Sequence, residues 1–161
     1  MDEVLEVGSP GQYKALAHPL RQRLLFALGR APATTSQLAV SLGAQKGNVA
    51  HHLKVLREAG LIRVAETRRV RGGTERYYQR TAKRLSVPGP AAGHTEALLG
   101  AVAEELRQAP GQPVLALRHL RLTEEGAREL GEVLRRVVDQ AEDVGGDEAV
   151  HGVLVALYRQ S

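Results

Sequence analysis

The stretch TTSQLAVSLGAQKGNVAHHLKVLREAG, residues 34–60, contains two short helix patterns joined by a tight turn. Thr34 and Gln37 have the spacing of a capping box, which predicts the start of the first helix. Its inward side chains are Leu38, Ala39 and Leu42. Gly43 is typical of a helix end, because glycine adopts left-handed backbone angles without strain. A second helix is predicted over about residues 46–58, and two helices joined in this way form a helix-turn-helix motif.

The second helix is amphipathic. Its inward stripe consists of Val49, Leu53 and Leu56. At 100° per residue, the residues on the opposite side are Gly47, His51, Lys54 and Glu58. In a helix-turn-helix motif the first helix braces the second, which enters a groove of the DNA duplex. The alternative is that these polar residues form only a solvated face.

A β-hairpin is predicted after this motif. Residues 61–70 alternate loosely, RGGT at residues 71–74 is typical of a turn, and residues 75–80 supply a returning strand. The arginines at and near its tip are Arg68, Arg69, Arg71 and Arg76. Glycines let the tip approach a phosphate backbone closely, and arginines supply positive charge. We interpret the hairpin as a DNA-binding wing; the alternative is that the arginines protect an edge strand from aggregation.

Helical patterns also precede the motif. SPGQ at residues 9–12 is typical of a helix start. One apolar stripe follows, made of Leu16, Leu20, Leu24 and Leu28. Pro19 interrupts this stripe, so we expect a kink or a new helix at His18.

SVPGPAAG, residues 86–93, is typical of a linker. It divides the chain into a predicted winged helix-turn-helix domain, residues 1–85, and a dimerisation or effector region, residues 94–161. That region begins with a helix predicted over about residues 94–108. The apolar side chains of this helix are Leu98, Leu99, Val102 and Leu106. Such a stripe fits either internal packing or a dimer helix.

The rest of the C-terminal region is predicted to be a strand–helix–strand unit. Residues 114–122 and 150–158 are the predicted strands, and Thr123 caps a helix that extends to about Glu142. A single crossover helix favours parallel pairing of the two strands. We expect the apolar stripe at residues 130–141 to lie in a core. The predicted fold class is therefore mostly α with a small β component, α+β.

Length and composition exclude several classes of protein. A chain of 161 residues can bury a core, and without cysteine it has no disulfide, thiolate metal site or cysteine nucleophile. One Phe, four Tyr and no Trp disfavour base stacking on aromatic platforms. The acidic start, MDEV, leads into no apolar stretch, and no uncharged apolar run is long enough to cross a bilayer. We expect a cytoplasmic protein with no signal peptide and no membrane partner.

The net charge of +4 conceals a division between the two halves. Residues 1–85 contain 15 Lys and Arg against 6 acidic residues, a net charge of +9. Residues 86–161 contain 7 Arg against 12 acidic residues, a net charge of −5. This asymmetry indicates one half that binds a polyanion and one half with another role; the alternative is chance clustering of solvated charges.

Three stretches resemble the winged helix-turn-helix of ArsR-type bacterial transcriptional regulators. They are ALAHPLR at residues 15–21, QLA at residues 37–39 and HLKVLREAGL at residues 52–61. The resemblance covers about residues 12–82. It implies a homodimeric DNA-binding repressor, or less often an activator, that responds to a bound signal. It also implies that the second helix reads the major groove while the wing contacts the neighbouring backbone or minor groove.

The chain departs from the family on the reading helix, where Gly47 and Ala50 stand in place of small hydroxyl residues. Other side chains must then carry more of the DNA contact. The predicted DNA-binding residues are Lys46, Asn48, His51, Lys54, Arg68, Arg69, Arg71 and Arg76. The predicted partners are double-stranded operator DNA and a second copy of the chain, and a small-molecule effector in the C-terminal half stays open.

No cofactor and no metal site is expected. Metal sensors of the family use cysteines, or clusters of histidine and acidic residues, and this chain has no cysteine. His51 and His52 point about 100° apart on a helix, so they cannot chelate one ion together. We expect His51 to face outward and His52 to pack at the edge of the core. For the remaining histidines a structural role is favoured; they include His94, His119 and His151.

Common catalytic motifs are absent from the sequence. It has no phosphate-binding G-x-x-x-x-G-K loop, no H-E-x-x-H helix and no G-x-S-x-G elbow. We therefore expect a transcriptional regulator and not an enzyme. The alternative is a winged-helix module that binds proteins and no DNA, which would expose a contiguous apolar surface on the C-terminal half.

Overall fold

The computed structural model describes residues 2–87, 93–142, 144, 146 and 148–159. The chain forms two compact units, residues 1–113 and residues 114–161. Most of the predicted linker, residues 88–92, lies outside the described residues.

The described residues of the first unit form ten elements. In chain order they are β1 (Asp2–Glu6), α1 (Pro10–Leu16), α2 (Pro19–Arg30), β2 (Ala33–Thr34), α3 (Thr35–Leu42), α4 (Lys46–Glu58), β3 (Ile62–Val70), β4 (Gly73–Arg80), β5 (Ala82–Ser86) and α5 (His94–Gln108). The second unit contains α6 (Glu124–Asp139). The fold class is mostly α with small sheets, as predicted.

The first two helices begin where the sequence predicts. Ser9 and Gln12 form the capping box of α1, with each side chain accepting a hydrogen bond from the other's backbone N–H. The predicted break at Pro19 is confirmed, because α1 ends at Leu16 and α2 begins at Pro19. His18 caps α2: its Nδ1 accepts a hydrogen bond of 3.1 Å from the backbone N–H of Leu20.

The helix-turn-helix motif, α3 and α4, is confirmed at its predicted boundaries. Thr34 and Gln37 form the capping box of α3, with hydrogen bonds of 3.2 and 2.8 Å. Gly43 ends α3 at φ +61°, the left-handed conformation that favours glycine. α4 spans Lys46–Glu58, and its inward side chains Val49, Leu53 and Leu56 are buried.

The wing is an antiparallel hairpin of β3 and β4, and β2 pairs with the other edge of β4. Val70 pairs with Gly73, so the predicted turn is a two-residue loop, Arg71 and Gly72. The register shifts between Val64 and Glu66, which marks a β-bulge. β1, which the sequence analysis did not predict, pairs in parallel with β5.

The core of the first unit lies between the helices and the start of the wing. Its buried side chains come from α1–α4, β3 and the loops before α1 and β3: Val7, Ala15, Leu16, Leu24, Leu25, Leu28, Leu38, Ala39, Val49, Leu53, Leu56, Leu61 and Ile62. α5 packs on α1 and α2 through Ala97 and Ala101, which are both buried. The predicted stripe of α5 is only partly covered: Leu98 and Val102 are half-buried, and Leu99 and Leu106 are exposed.

Two expectations for the C-terminal unit are wrong. Residues 114–122 and 150–158 contain neither strand nor helix, so the predicted parallel pairing is absent from this chain. α6 begins after Thr123, whose hydroxyl accepts a hydrogen bond from Gly126 N at 3.0 Å, but its stripe lies in no core. None of the described residues of α6 is buried. Apolar periodicity predicts that a face needs cover but does not say which chain supplies it.

Candidate nucleic-acid interface

The outward face of α4 is exposed. Lys46, Asn48, His51 and Lys54 are all exposed, whereas the opposite face is anchored in the core. Lys54 lies 3.8 Å from Glu58, an exposed i,i+4 pair that contributes little to stability. The face thus presents hydrogen-bond donors and positive charge on a helix that its own buried stripe fixes in place.

The N-terminus of α4 adds donors that the sequence reading missed. Gln45 occupies the N-cap position, but its side chain makes no capping hydrogen bond. The first turn contains no acidic residue and begins with Lys46. The first amides of a helix lack partners within the helix, and they favour an anion such as phosphate. A missing Ser, Thr, Asp or Asn at position 45 was the available signal.

Arg21 and His52 connect α4 to α1 and α2. Arg21 donates hydrogen bonds to the carbonyl oxygens of Lys14 and Ala15 at the end of α1. Its Nη1 lies 3.3 Å from Nδ1 of His52, and because arginine can only donate, that nitrogen accepts. His52 is buried, as expected from its place beside the inward stripe, and its ring centroid lies 4.3 Å from that of His18.

Burial keeps the His52 ring neutral. It lowers the pKa of His52 from 6.5 to about 4, and the nearby His18, Arg21 and His51 act in the same direction. Burial also lowers the pKa of His18. A neutral Nδ1 is the form that can accept the hydrogen bond from Arg21. His52 therefore helps to position α4 and does not face outward with His51.

The wing exposes all four arginines that the sequence singled out, namely Arg68, Arg69, Arg71 and Arg76. Arg68 is bound within the hairpin: it donates to both carboxylate oxygens of Glu66 at 2.7 and 3.0 Å, and its guanidinium lies 4.7 Å from the Tyr77 ring centroid. The Arg68 hydrogen bond lowers the pKa of the Glu66 carboxyl. The other three make no ion pair with any described residue.

The remaining histidines do not assemble into a metal centre within the described part of the chain, where no group of three or more His, Asp or Glu side chains is placed to hold an ion. His94, at the start of α5, has Nδ1 3.2 Å from Nε2 of Gln22, and burial lowers its pKa. Gln22 also donates to the carbonyl of Leu16 at 2.7 Å. This contact joins α5 to α1 and α2.

Comparison with known proteins finds one family model and several solved structures that are similar to the chain. Residues 16–65 match the family model described as a helix-turn-helix domain. The crystal structure of the transcriptional repressor BigR from Xylella fastidiosa is 22% identical over 61% of this chain and 84% of that chain, with a TM-score of 0.38. The NMR structure of the cadmium metal-sensor CMTR from Mycobacterium tuberculosis is 30% identical over 68% of this chain and 100% of that chain, with a TM-score of 0.36. No functionally curated protein shows significant sequence similarity to the chain.

Residues 16–65 form a helix-turn-helix domain of the ArsR type, as the sequence motifs predicted. The two superpositions, with TM-scores below 0.5, add nothing to the fold, which rests on the chain's own helices and strand pairing. In the described ranges, no helix combines the length and apolar character that a membrane span requires.

Proposed function

We propose that the protein is a sequence-specific, homodimeric repressor that binds double-stranded operator DNA in the cytoplasm. The observation that carries the proposal is the shared exposure of two basic surfaces, the outward face of α4 and the tip of the wing, on the half of the chain with net charge +9. Phosphate contacts would give affinity, and contacts with base edges would give specificity.

In this proposal α4 lies in the major groove. The Asn48 amide and the His51 ring offer donors and acceptors to base edges, and Lys46 joins the uncapped amides of α4 in holding a phosphate. Lys54 provides a further cation on the same face. The hydroxyl contacts common in the family are missing at Gly47 and Ala50, so these four side chains carry the reading surface.

The wing follows the adjacent backbone. Arg69, Arg71 and Arg76 are free of ion pairs within the described chain and can each neutralise a phosphate. Arg68 must first exchange its bond with Glu66 for one with DNA, or else it orders the hairpin through Tyr77. The proposal assigns the larger contribution to the three free arginines.

A two-fold pair of chains matches the half-exposed stripe of α5. Leu99 is 47% exposed, and it lies on the opposite side of the helix from the buried Ala97 and Ala101. Two reading helices related by two-fold symmetry would lie about 34 Å apart, one turn of DNA, and would require a palindromic operator. Occupancy of that operator would block transcription, and a small-molecule signal held by the C-terminal half would release it.

The direct test selects duplexes from a random pool with the full-length protein. The expected result is an enriched inverted repeat whose half-site centres lie one helical turn apart, and genomic footprinting would then name the regulated genes. The variant His51→Ala should lose preference at one position of each half-site while retaining weak general binding. Failure to enrich any sequence would contradict specific reading by α4.

A second candidate, a protein-interaction module without DNA binding, is favoured by the apolar surface of the C-terminal unit. Fifteen large hydrophobic side chains of residues 114–158 are exposed, far more than isolated exposed side chains on a monomer. This candidate predicts no retention of duplex DNA even at low salt. The family is one of transcriptional regulators, and we propose no catalytic step for either candidate.

A further inference from the structure

The C-terminal unit, residues 114–161, leaves its apolar side chains uncovered. None of its described residues is buried. Of the 20 large hydrophobic side chains exposed in the described chain, 15 belong to this unit. A unit of this size has too little interior to shield such a set by itself. The unit has the apolar side chains that a hydrophobic core needs, but in the single chain its described residues do not form one.

The burial of apolar side chains changes along α6. A Cβ atom on Gly131 would lie 3.6 Å from Cδ2 of Leu157, so the last segment passes beside α6. Near this contact Leu130 and Leu134 are half-buried. One turn further on, Val137 is 65% exposed. The stripe of α6 is therefore half-buried at Leu130 and Leu134 and exposed from Val137 onwards.

The two segments that flank α6 leave their backbone groups unpaired. In residues 114–122 and 149–159 no backbone N–H or C=O bonds to another backbone group of the described chain. Between residues that the structure describes, the polar contact in these segments joins Nδ1 of His151 to the carbonyl of Ala149. Apolar sequence rich in Val and Leu, with free backbone donors and acceptors, is what an unpaired strand offers to another chain.

We propose that a second copy of this chain covers the unit, with residues 114–122 and 150–158 of both copies pairing into one shared sheet under the two α6 stripes. This inference rests on the proposed regulator, which requires two chains, and assigns the C-terminal unit as the contact that holds them together. The predicted strands would then form, but between chains and not within one.

The charge of the unit fits a second copy and not a polyanion. Residues 114–161 contain 6 Arg and 9 acidic residues, a net charge of −3. Arg118 and Arg121 make no ion pair with any described residue, and neither do Glu124 and Glu129. A surface that carries both signs can complement itself across a two-fold axis, because every contact between two different residues then occurs twice, once in each direction. The cationic half, in contrast, repels its own copy.

The exposed apolar area is large enough for a stable pair. The fifteen exposed aliphatic or aromatic side chains, each offering roughly 60–100 Å² of apolar surface, provide on the order of 1,000 Å² per copy. A stable interface buries about 800 Å² per partner. Two-fold pairing closes the surface, whereas a head-to-tail contact would leave one apolar face open and lead to fibres.

Sedimentation equilibrium of the full-length protein over a range of concentrations tests the proposal. Wild-type protein should be dimeric at micromolar concentration. Val137→Asp and Val153→Asp should each weaken the dimer at least tenfold, because both side chains are exposed in the single chain and covered in the pair. The matched control is Val40→Asp, since Val40 is 84% exposed on α3 in the other unit and should leave association unchanged. Variants that dimerise like the wild type, or a monomeric wild type, would overturn the proposal.

Amide hydrogen exchange of the wild-type protein gives a second readout that needs no variant. Residues 114–122 and 150–158 should exchange slowly at high protein concentration and rapidly after dilution, as strands paired between chains do. Rapid exchange at every concentration would contradict pairing.

A DNA-binding arm separates this inference from the proposed function. Val137→Asp should still bind duplex DNA at low salt, because α4 and the wing belong to the other unit. A wild type that binds no DNA would refute the regulator, whereas a DNA-binding dimer unaffected by Val137→Asp would refute only the shared sheet.

Discussion

Replacing His52, the buried histidine of α4, should reduce the loss of unfolding free energy that the protein shows at acid pH. His52 is 6% exposed and accepts a hydrogen bond from Arg21 as a neutral ring. In His52→Asn, the amide oxygen can replace Nδ1 as acceptor, but the side chain no longer titrates. The variant therefore removes the titrating group but keeps an acceptor for the hydrogen bond from Arg21.

The magnitude follows from the two pKa values of His52. The unfolded chain binds a proton as the pH falls below 6.5, whereas the folded chain keeps the ring neutral until about pH 4. The stabilising effect of His52 is complete above pH 6.5 and is lost as the pH falls from 6.5 towards 4. Between pH 7.5 and 4.5 this amounts to about 2.5 kcal/mol of unfolding free energy. His18 and His94, whose pKa values are also lowered, add to the total in the wild type.

Urea unfolding followed by far-UV circular dichroism measures this loss, since the chain has no tryptophan for fluorescence. Curves at pH 7.5, 6.5, 5.5 and 4.5 and at one protein concentration should show a drop that is about 2.5 kcal/mol smaller in His52→Asn than in the wild type. The matched control His119→Asn, in the other unit, leaves the surroundings of His52 intact and should keep the whole drop. Equal pH dependence in wild type and His52→Asn would refute the buried neutral ring.

Three further predictions concern stability and recognition. Gly43→Ala should lower the free energy of unfolding by about 1–2 kcal/mol because residue 43 has φ +61°. Gly47→Ala, in open space within α4, should raise it by up to about 1 kcal/mol. Thermal unfolding distinguishes the two variants, and equal shifts in melting temperature would contradict the assigned backbone angles. Leu56→Ala should lose about 2–5 kcal/mol in urea unfolding since that side chain is fully buried, while a loss below about 1 kcal/mol would show that the α4 stripe is not core. His51→Ala should weaken specific DNA binding by about 1–3 kcal/mol in a competition assay without changing the melting temperature, and unchanged specificity would remove His51 from the reading surface.

Local signals in the sequence were sufficient for the DNA-binding half. The capping boxes at Ser9 and Thr34, the proline at residue 19 and the glycine at residue 43 each act within one helical turn, so their effect does not depend on distant partners. α4 spans the predicted residues because its apolar stripe, Val49, Leu53 and Leu56, is buried in the core, although Gln45 supplies no side-chain cap. The turn at the hairpin tip could be predicted for the same reason, because its residues are adjacent in the sequence.

Features that depend on distant or second-chain contacts could not be predicted. β1 pairs with β5 across some 80 residues, and its short acidic sequence has no strand pattern of its own. The stripe of α6 is among the clearest apolar patterns in the chain, yet it lies exposed. An apolar periodicity predicts that one face of a helix is buried, but it does not predict which segment or chain covers that face. The pairing of Arg68 with Glu66 and Tyr77 likewise depends on side chains that only the folded hairpin brings together.

The salt dependence of duplex binding, measured by fluorescence anisotropy, tests the central claim most directly. If Lys46, Lys54, Arg69, Arg71 and Arg76 each neutralise one phosphate, the plot of log affinity against log salt should have a slope of roughly −4.5 for one chain and roughly −9 for a pair. Arg71→Ala should make the slope less steep by about 1 per chain, and Arg121→Ala, in the C-terminal unit, should leave it unchanged. A slope near zero, or one that Arg71→Ala does not alter, would contradict binding of DNA through α4 and the wing.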